Sequence, residues 1–139
     1  MSEIAPAPTL EVQLGKHTYG GLAPAIMAIV DRGVRARPML AQGLEAEVEL
    51  AFVEEYPPVR ILFGNGVTLV EDGAAQRPDL RVEGTLADLI SLLVAPALGG
   101  LPNPMNARGR AVLGLVASRR VRVQGRLRLM RRILAVIRI

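Results

Sequence analysis

Apolar and polar residues alternate in the middle of the chain and predict a β-strand from Ala46 to Glu54. The two faces of this strand differ in polarity. One face carries Val48, Leu50 and Phe52, and the other carries Glu47, Glu49 and Ala51. Such a strand buries its apolar face against a core and leaves its other face to polar neighbours.

Three further strands are predicted after Pro57 and Pro58. The first of them places Val59, Ile61 and Phe63 on one face. Gly64-Asn65-Gly66 follows it directly, and Asn-Gly readily adopts the positive φ values of a tight hairpin turn. The next strand starts at Val67 and ends near Asp72-Gly73, and the last one, 78–83, faces inward with Leu80 and Val82.

Helical spacing appears on both sides of these strands. A helix over 21–34 is predicted by apolar residues at Leu22, Ile26, Ile29 and Val30. Another opens at Thr85, because Thr85 and Asp88 have the spacing of a capping box. Its apolar face is Leu86, Leu89, Ile90, Leu93 and Val94, and Leu92 lies off that face.

The C-terminal part favours a helix over 105–117, a short strand over 121–125 and a final helix. The final helix is indicated by the spacing of Leu127, Met130, Leu134 and Ile137. Residues 119–129 also alternate between basic and apolar, so an extension of the strand through Leu129 is the alternative. Residues 10–18 are ambiguous between strand and loop, and residues 35–43 are predicted to be a connector.

The predicted order is a helix, four strands in a meander, two helices, a strand and a helix. Strands grouped before helices are typical of the α+β class, with helices on one face of a largely antiparallel sheet. A chain of 139 residues has the length of one domain. We therefore expect a single domain over 21–139 and a partly mobile N-terminal segment over 1–20.

Half of the residues are hydrophobic, which is high for a globular domain, so some apolar surface is expected to serve a purpose beyond an ordinary core. No stretch is long and apolar enough for a transmembrane helix, because 86–101 contains Asp88 and Pro96. The N-terminus lacks the basic and apolar pattern of a signal peptide, and cysteine is absent. These features together predict a cytoplasmic protein.

Charge is divided unevenly along the chain. Residues 1–99 hold all 13 acidic residues and seven basic ones, whereas residues 100–139 hold ten arginines and no acid. An arginine-rich segment could bind an anionic lipid, a ligand phosphate or a nucleic acid. The alternative that we favour is that these arginines pair with the acidic half after folding.

Residue types that carry chemistry are scarce. His17 is the single histidine and cannot form a typical zinc site in the absence of cysteine. No serine has the surroundings of an activated nucleophile, and no phosphate-binding or dinucleotide-binding motif is present. The cluster Lys16, His17 and Tyr19 is interpreted as surface. We therefore expect no enzyme activity, no catalytic residue, no metal and no cofactor.

Three stretches resemble the sterol carrier protein type-two domain family. The hairpin 59–70 is similar to the central meander of that family, and 78–93 is similar to its unit of a strand followed by a helix. Val121-Arg-Val-Gln-Gly125 with the apolar helix after it resembles the closing strand, glycine and C-terminal helix. The likeness covers about residues 45–139 and consists of hydrophobicity and turns, without a catalytic signature.

This resemblance implies a single five-stranded, mostly antiparallel sheet that helices cover on one face. It also implies non-catalytic carriage of an apolar ligand in an internal hydrophobic cavity: a fatty acid, an acyl-CoA, a sterol or hopanoid, or an isoprenoid. The predicted cavity wall is Phe52, Ile61, Phe63, Leu89, Ile90, Leu93, Val94, Leu98, Leu101, Met105, Leu113, Met130 and Leu134. The candidates for contact with a ligand head group are Arg108, Arg110, Arg119 and Arg120.

Other functions stay open beside lipid carriage. The surplus apolar surface could instead form a homodimer, or an accessory protein could support an enzyme of lipid or quinone synthesis without its own ligand. Transient contact with a membrane surface is a further expectation. Nucleic acid is not expected as a partner, because the chain has only two Tyr, two Phe and no Trp for base stacking.

Overall fold

The computed structural model describes residues 10–94, 97–98, 101–102, 114 and 120–137. Its elements, in chain order, are β1 Glu11–Leu14, α1 Ala23–Ala36, α2 Pro38–Gln42, β2 Ala46–Phe52, β3 Val59–Gly64, β4 Val67–Asp72, β5 Leu80–Gly84, α3 Leu86–Val94, β6 Ala97–Leu98, β7 Leu101–Pro102, β8 Arg122–Gly125 and α4 Leu127–Ile137. Of the predicted helix over 105–117, the structure describes only Gly114, which is helical.

The main sheet has six strands in the order β1-β4-β3-β2-β5-β8, and β6 pairs only with β7. The expected sheet had five strands, and the additional one is β1, which pairs in parallel with β4. The sheet therefore begins inside the N-terminal segment that the sequence predicts to be partly mobile. The ambiguous residues 10–18 contain this strand, and the expected connector 35–43 contains α2.

The predicted four-strand meander is wrong at its last step, because β5 pairs in parallel with β2 and not with β4. Two carboxylates of β2 fix the crossover of residues 73–79. Glu49 Oε1 accepts a hydrogen bond from the Ala75 N–H at 2.8 Å, and Glu47 Oε1 accepts one from the Arg77 N–H at 3.0 Å. The crossover therefore runs along the polar face of β2 before β5 begins.

One face of the sheet is apolar and lies under the helices. α1 packs over β1, β4 and β3, while α3 and α4 lie over β2 and β5. This arrangement confirms the α+β class with helices on one face. The core lies between the sheet and these helices, and its members include Val30, Val34, Val48, Leu50, Ile61, Val70, Leu80, Val82, Leu89, Ile133 and Ile137.

The local signals of the sequence have the expected geometry. Asn65 and Gly66 have φ values of 52° and 76°, which the tight turn between β3 and β4 requires. The Asp88 N–H donates to Thr85 Oγ1 at 3.1 Å, as the predicted cap of α3 requires. The final segment is the helix α4, so the alternative of a strand through Leu129 is wrong.

Charged residues occupy the other face of the sheet. Arg60 forms ion pairs with Glu47 at 2.9 Å and with Glu71 at 2.7 Å. Burial raises the pKa of the Glu47 carboxyl, but hydrogen bonds from the Arg77 N–H and the Arg60 guanidinium together lower this pKa by more, to a net value below 4.5. None of the described helices is both long and apolar enough to cross a lipid bilayer.

We expect Gly125→Ala to lower the free energy of unfolding by about 2–4 kcal/mol. Gly125 ends β8 with a φ of 120°, and an added Cβ would overlap the carbonyl oxygen of Asp79. Gly73→Ala is the matched control, because Gly73 has a φ of 140° but no described atom within 4 Å of an added Cβ. If urea unfolding showed the same loss of unfolding free energy for both variants, this would contradict the close approach of Gly125 to Asp79.

We expect Glu47→Gln to lower the free energy of unfolding by about 1–3 kcal/mol near neutral pH, because the carboxylate loses charged hydrogen bonds. The folded state lowers the pKa of Glu47, so its stabilisation is complete above the ordinary pKa of 4.5 and disappears as the pH falls through the lowered folded-state pKa. The difference from the wild type should therefore shrink in urea titrations below this pH. Glu55→Gln, at an exposed position, is the control.

Candidate functional site

An apolar pocket lies between the sheet and the two helices α3 and α4. β2, β3 and β5 form its floor, and α3 and α4 form its roof. The described residues that line it are all apolar: Val48, Leu50, Ile61, Leu80, Val82, Leu89, Leu92, Leu93, Met130, Ile133, Leu134 and Ile137. A dry pocket with flexible aliphatic walls can bind hydrocarbon but offers no polar group for a reaction.

The enclosed space is small. A water-sized sphere has about 20 Å³ available to it, which is room for about one water molecule. Pockets that enclose drug-sized ligands measure roughly 300–1,000 Å³. A long apolar ligand would therefore fit beneath α3 and α4 only if these helices moved away from the sheet, and the predicted internal cavity stays a prediction.

Polar groups at its N-terminus hold α3 in place over the pocket. The Leu86 N–H donates to both carboxylate oxygens of Glu54, at 3.1 and 3.0 Å, from the loop that follows β2. Thr85 caps the Asp88 N–H, and the carboxylates of Glu54 and Asp88 complement the positive end of the helix dipole. The role of Glu54 was missed because its partner lies 32 residues away in the sequence.

Asp88 and Arg120 form an ion pair beside this helix end, with 3.2 Å between Arg120 Nη2 and Asp88 Oδ1. The Asp88 side chain is 11% exposed and that of Arg120 is 65% exposed. Asp88 Oδ2 is buried and has no hydrogen-bond partner among the described residues. Arg120 and Arg122 also border an open depression of about 220 Å³ with Val53, Glu83 and Gly84.

Five residues of the predicted cavity wall meet in the pocket: Ile61, Leu89, Leu93, Met130 and Leu134. Phe63 is buried in the core, while Phe52 and Ile90 are partly buried against it, and none of the three lines this pocket. The side chains of Val94, Leu98, Leu101, Met105 and Leu113 lie outside the described residues.

Several lining residues were not among the predicted wall residues: Val48, Leu50, Leu80, Val82, Leu92, Ile133 and Ile137. The strand residues share the inward faces that their alternation indicates. Leu92 is predicted to lie off the apolar face of α3, but it is buried together with Leu89 and Leu93, whereas Ile90 is only partly buried. Leu92 and Leu93 follow Leu89 by three and four residues, which is the spacing of one helical face. The buried face of α3 is thus rotated relative to the predicted one.

Among the predicted head-group arginines, Arg120 lies within the described residues, whereas Arg108, Arg110 and Arg119 lie outside them. The expected pairing of C-terminal arginines with the acidic half holds for Arg120. Arg122, Arg126, Arg128 and Arg132 make no ion pair with any described carboxylate, so the described residues do not bear out that pairing for these four. In the described part of the chain, no cluster of three or more acidic or histidine side chains could hold a metal ion.

Comparisons with known proteins identify the fold but no close relative. No family model and no curated protein matches the sequence. The chain is similar to the solved structure of a UbiJ-SCP2 ubiquinone synthesis protein, with 15% identity, a TM-score of 0.59, and coverage of 84% of this chain and 88% of that one. It is also similar to the inverting sec-alkylsulfatase Pisa1 from Pseudomonas sp., with 15% identity and a TM-score of 0.53.

The alkylsulfatase match is confined to part of a much larger protein, because it covers 70% of this chain but 14% of that one. A sterol carrier protein 2 structure is similar at 16% identity and a TM-score of 0.44, with coverage of 79% of this chain and 90% of that one. At such identities structural likeness shows the fold and not the activity. The likeness to the UbiJ-SCP2 structure therefore shows that this helix-covered sheet, with its apolar pocket under α3 and α4, has the fold of the sterol carrier protein type-two domain.

Proposed function

We propose that this protein reversibly binds a long apolar ligand between its sheet and the helices α3 and α4, and performs no chemistry on it. The observation that carries the proposal is the unfilled, entirely apolar space at this helix–sheet interface in an SCP2-like fold. Transport, storage or presentation of the ligand to an enzyme all require binding of this kind.

The energetics allow such binding without a specific polar contact. Burial of each CH₂ group contributes about 0.8 kcal/mol, so a sixteen-carbon chain contributes roughly 12 kcal/mol before costs. Association and ordering cost about 4–15 kcal/mol, and opening of the helices adds to that cost. A micromolar dissociation constant is therefore within reach for a fatty acid, an acyl-CoA, a sterol or hopanoid, or an isoprenoid.

An anionic head group would fit at the end of the pocket near Arg120. Gly84 lies next to both Arg120 and Leu89, which lines the pocket. A Cβ added to Gly84 would lie 3.4 Å from Leu89 Cδ2 and 3.2 Å from the Arg120 carbonyl oxygen. The exposed guanidinium of Arg120 has N–H donors that its ion pair with Asp88 does not use. Arg122 borders the same open depression as Arg120. A carboxylate or phosphate could bind there while its tail enters beneath α3.

The second candidate is an accessory protein that dimerises or supports an enzyme of a lipid or quinone pathway without a ligand of its own. Two observations favour it: the small volume of the pocket, and the structural likeness to UbiJ-SCP2, which is a ubiquinone synthesis protein. Cytoplasmic location and function without nucleic acid belong to both candidates.

Native mass spectrometry after mild purification distinguishes the two candidates. Carriage predicts a co-purified lipid, or displacement of a fluorescent fatty-acid probe by added fatty acid, at micromolar concentrations. A bare protein mass together with no probe binding would contradict carriage. If sedimentation equilibrium then showed a stable dimer, the accessory role would be favoured.

We expect Leu93→Arg to reduce probe affinity at least about tenfold, because it puts a charge into the apolar pocket. Ser91→Arg is the matched control: it adds the same charge to an exposed position of α3 and should leave affinity unchanged. Circular dichroism checks the fold of both variants. If Leu93→Arg does not fold, Leu93→Trp fills the pocket with apolar volume and should also reduce affinity. Full affinity in a folded Leu93 variant would show that the ligand binds elsewhere.

A further inference from the structure

Two large apolar side chains on α2 point into solvent. Met39 is 72% exposed and Leu40 is 51% exposed, although Ala41 beside them is buried. Single exposed apolar residues are ordinary on protein surfaces. Two adjacent ones on a five-residue helix form a protruding apolar ridge.

A stripe of arginines runs along the outer side of α4. Arg128, Arg131 and Arg132 are all exposed, and their spacing of three and four residues places them on one side of the helix. Together with Ala135 they border an open depression of about 390 Å³. The sequence of α4 contains no acidic residue, so its outer side is uniformly basic.

The ridge and the stripe adjoin each other. Arg132 Nη2 donates to the carbonyl oxygen of Gly43 at 3.0 Å, and Gly43 is the C-cap residue directly after α2. Met39 and Leu40 lie about one helical turn before Gly43. We call this continuous surface the α2–α4 face, defined by Met39, Leu40, Arg128, Arg131 and Arg132.

Nearby acids neutralise this face only in part. Arg128 and Arg132 make no ion pair with any described carboxylate, and Asp31 is paired with Arg35, at 2.9 Å. Glu45, exposed two residues after Gly43, is the acid that follows α2 in the sequence. Arg128 and Arg132 therefore retain positive charge that a partner of opposite charge would complement.

We propose that the α2–α4 face docks on an anionic lipid bilayer. The arginines would contact lipid phosphates, and Met39 and Leu40 would insert at the boundary between head groups and acyl chains. A nucleic acid offers phosphates but no apolar layer for Met39 and Leu40, and the face carries no aromatic side chain on which bases could stack. A bilayer complements both parts of the face.

The placement of α4 gives this docking a consequence for the proposed ligand. Its outer side carries the arginine stripe, and its inner side carries Met130, Ile133, Leu134 and Ile137 of the pocket wall. One helix would then separate the bilayer from the pocket. Docking itself requires no ligand, so vesicle binding and probe binding are independent measurements.

Co-sedimentation with vesicles tests the proposal directly. Binding is expected to vesicles of phosphatidylcholine with phosphatidylglycerol, to weaken with added salt, and to be weak on phosphatidylcholine alone. The triple variant Arg128→Gln/Arg131→Gln/Arg132→Gln should reduce the partition coefficient at least about tenfold, since each arginine near an anionic surface contributes about fivefold. Met39→Ser/Leu40→Ser should also reduce it severalfold.

Matched controls separate this face from general effects of charge and apolarity. Arg77→Gln and Tyr19→Ser change an exposed arginine and an exposed aromatic residue elsewhere and should keep full vesicle binding. All variants should keep the circular dichroism spectrum and the probe affinity of the wild type. Unchanged vesicle binding in the folded triple variant would overturn the proposal. An absence of vesicle binding by the wild-type protein would also overturn the proposal, even if a duplex oligonucleotide bound to the protein at low salt.

Discussion

The different chemistry of the two faces of β2 is the constraint on which the rest of the structure depends. β2 is a central strand, paired with β3 on one side and with β5 on the other. Its residues Val48 and Leu50 form the floor beneath α3 and α4, so the helices must lie on that side. Its residues Glu47 and Glu49 face away from them and bind the backbone of the crossover that leads to β5. One alternating sequence thus determines where the helices lie and which strand comes next to β2.

Features that depend on neighbours in the sequence could be predicted. The strands β2 and β3, the turn at Asn65-Gly66, the cap at Thr85 and the helical period of α4 all follow from short stretches whose geometry is determined locally. The resemblance to the SCP2 family extended these local elements to a fold, and the structural likeness to a UbiJ-SCP2 protein supports that fold. Five of the thirteen predicted wall residues meet in the pocket, because alternation and helical period are also local.

Features that depend on distant partners could not be predicted. β5 pairs with β2 because carboxylates on β2 hold the crossover, and nothing in residues 78–83 alone indicates this choice. Asp72, at the end of β4, accepts hydrogen bonds from the Thr18 and Ala23 N–H groups, and so fixes the start of α1 from 49 residues away. Likewise, a helix with four leucines does not reveal which of them its neighbours will cover, and Leu92 was therefore misplaced.

The function proposed for the pocket depends on what encloses it rather than on its present volume. Its roof consists of two helices, and Glu54 from the loop after β2 holds one end of α3, while the side chains beneath this helix are aliphatic and make no polar bonds. Movement of α3 and α4 away from the sheet would break no hydrogen bond between those aliphatic side chains. Its cost in free energy is the exposure of apolar surface to water, and a hydrocarbon ligand would cover that surface again. The proposed docking face lies on the outer side of α4, so a helix that would move to open the pocket would also be the helix in contact with the bilayer.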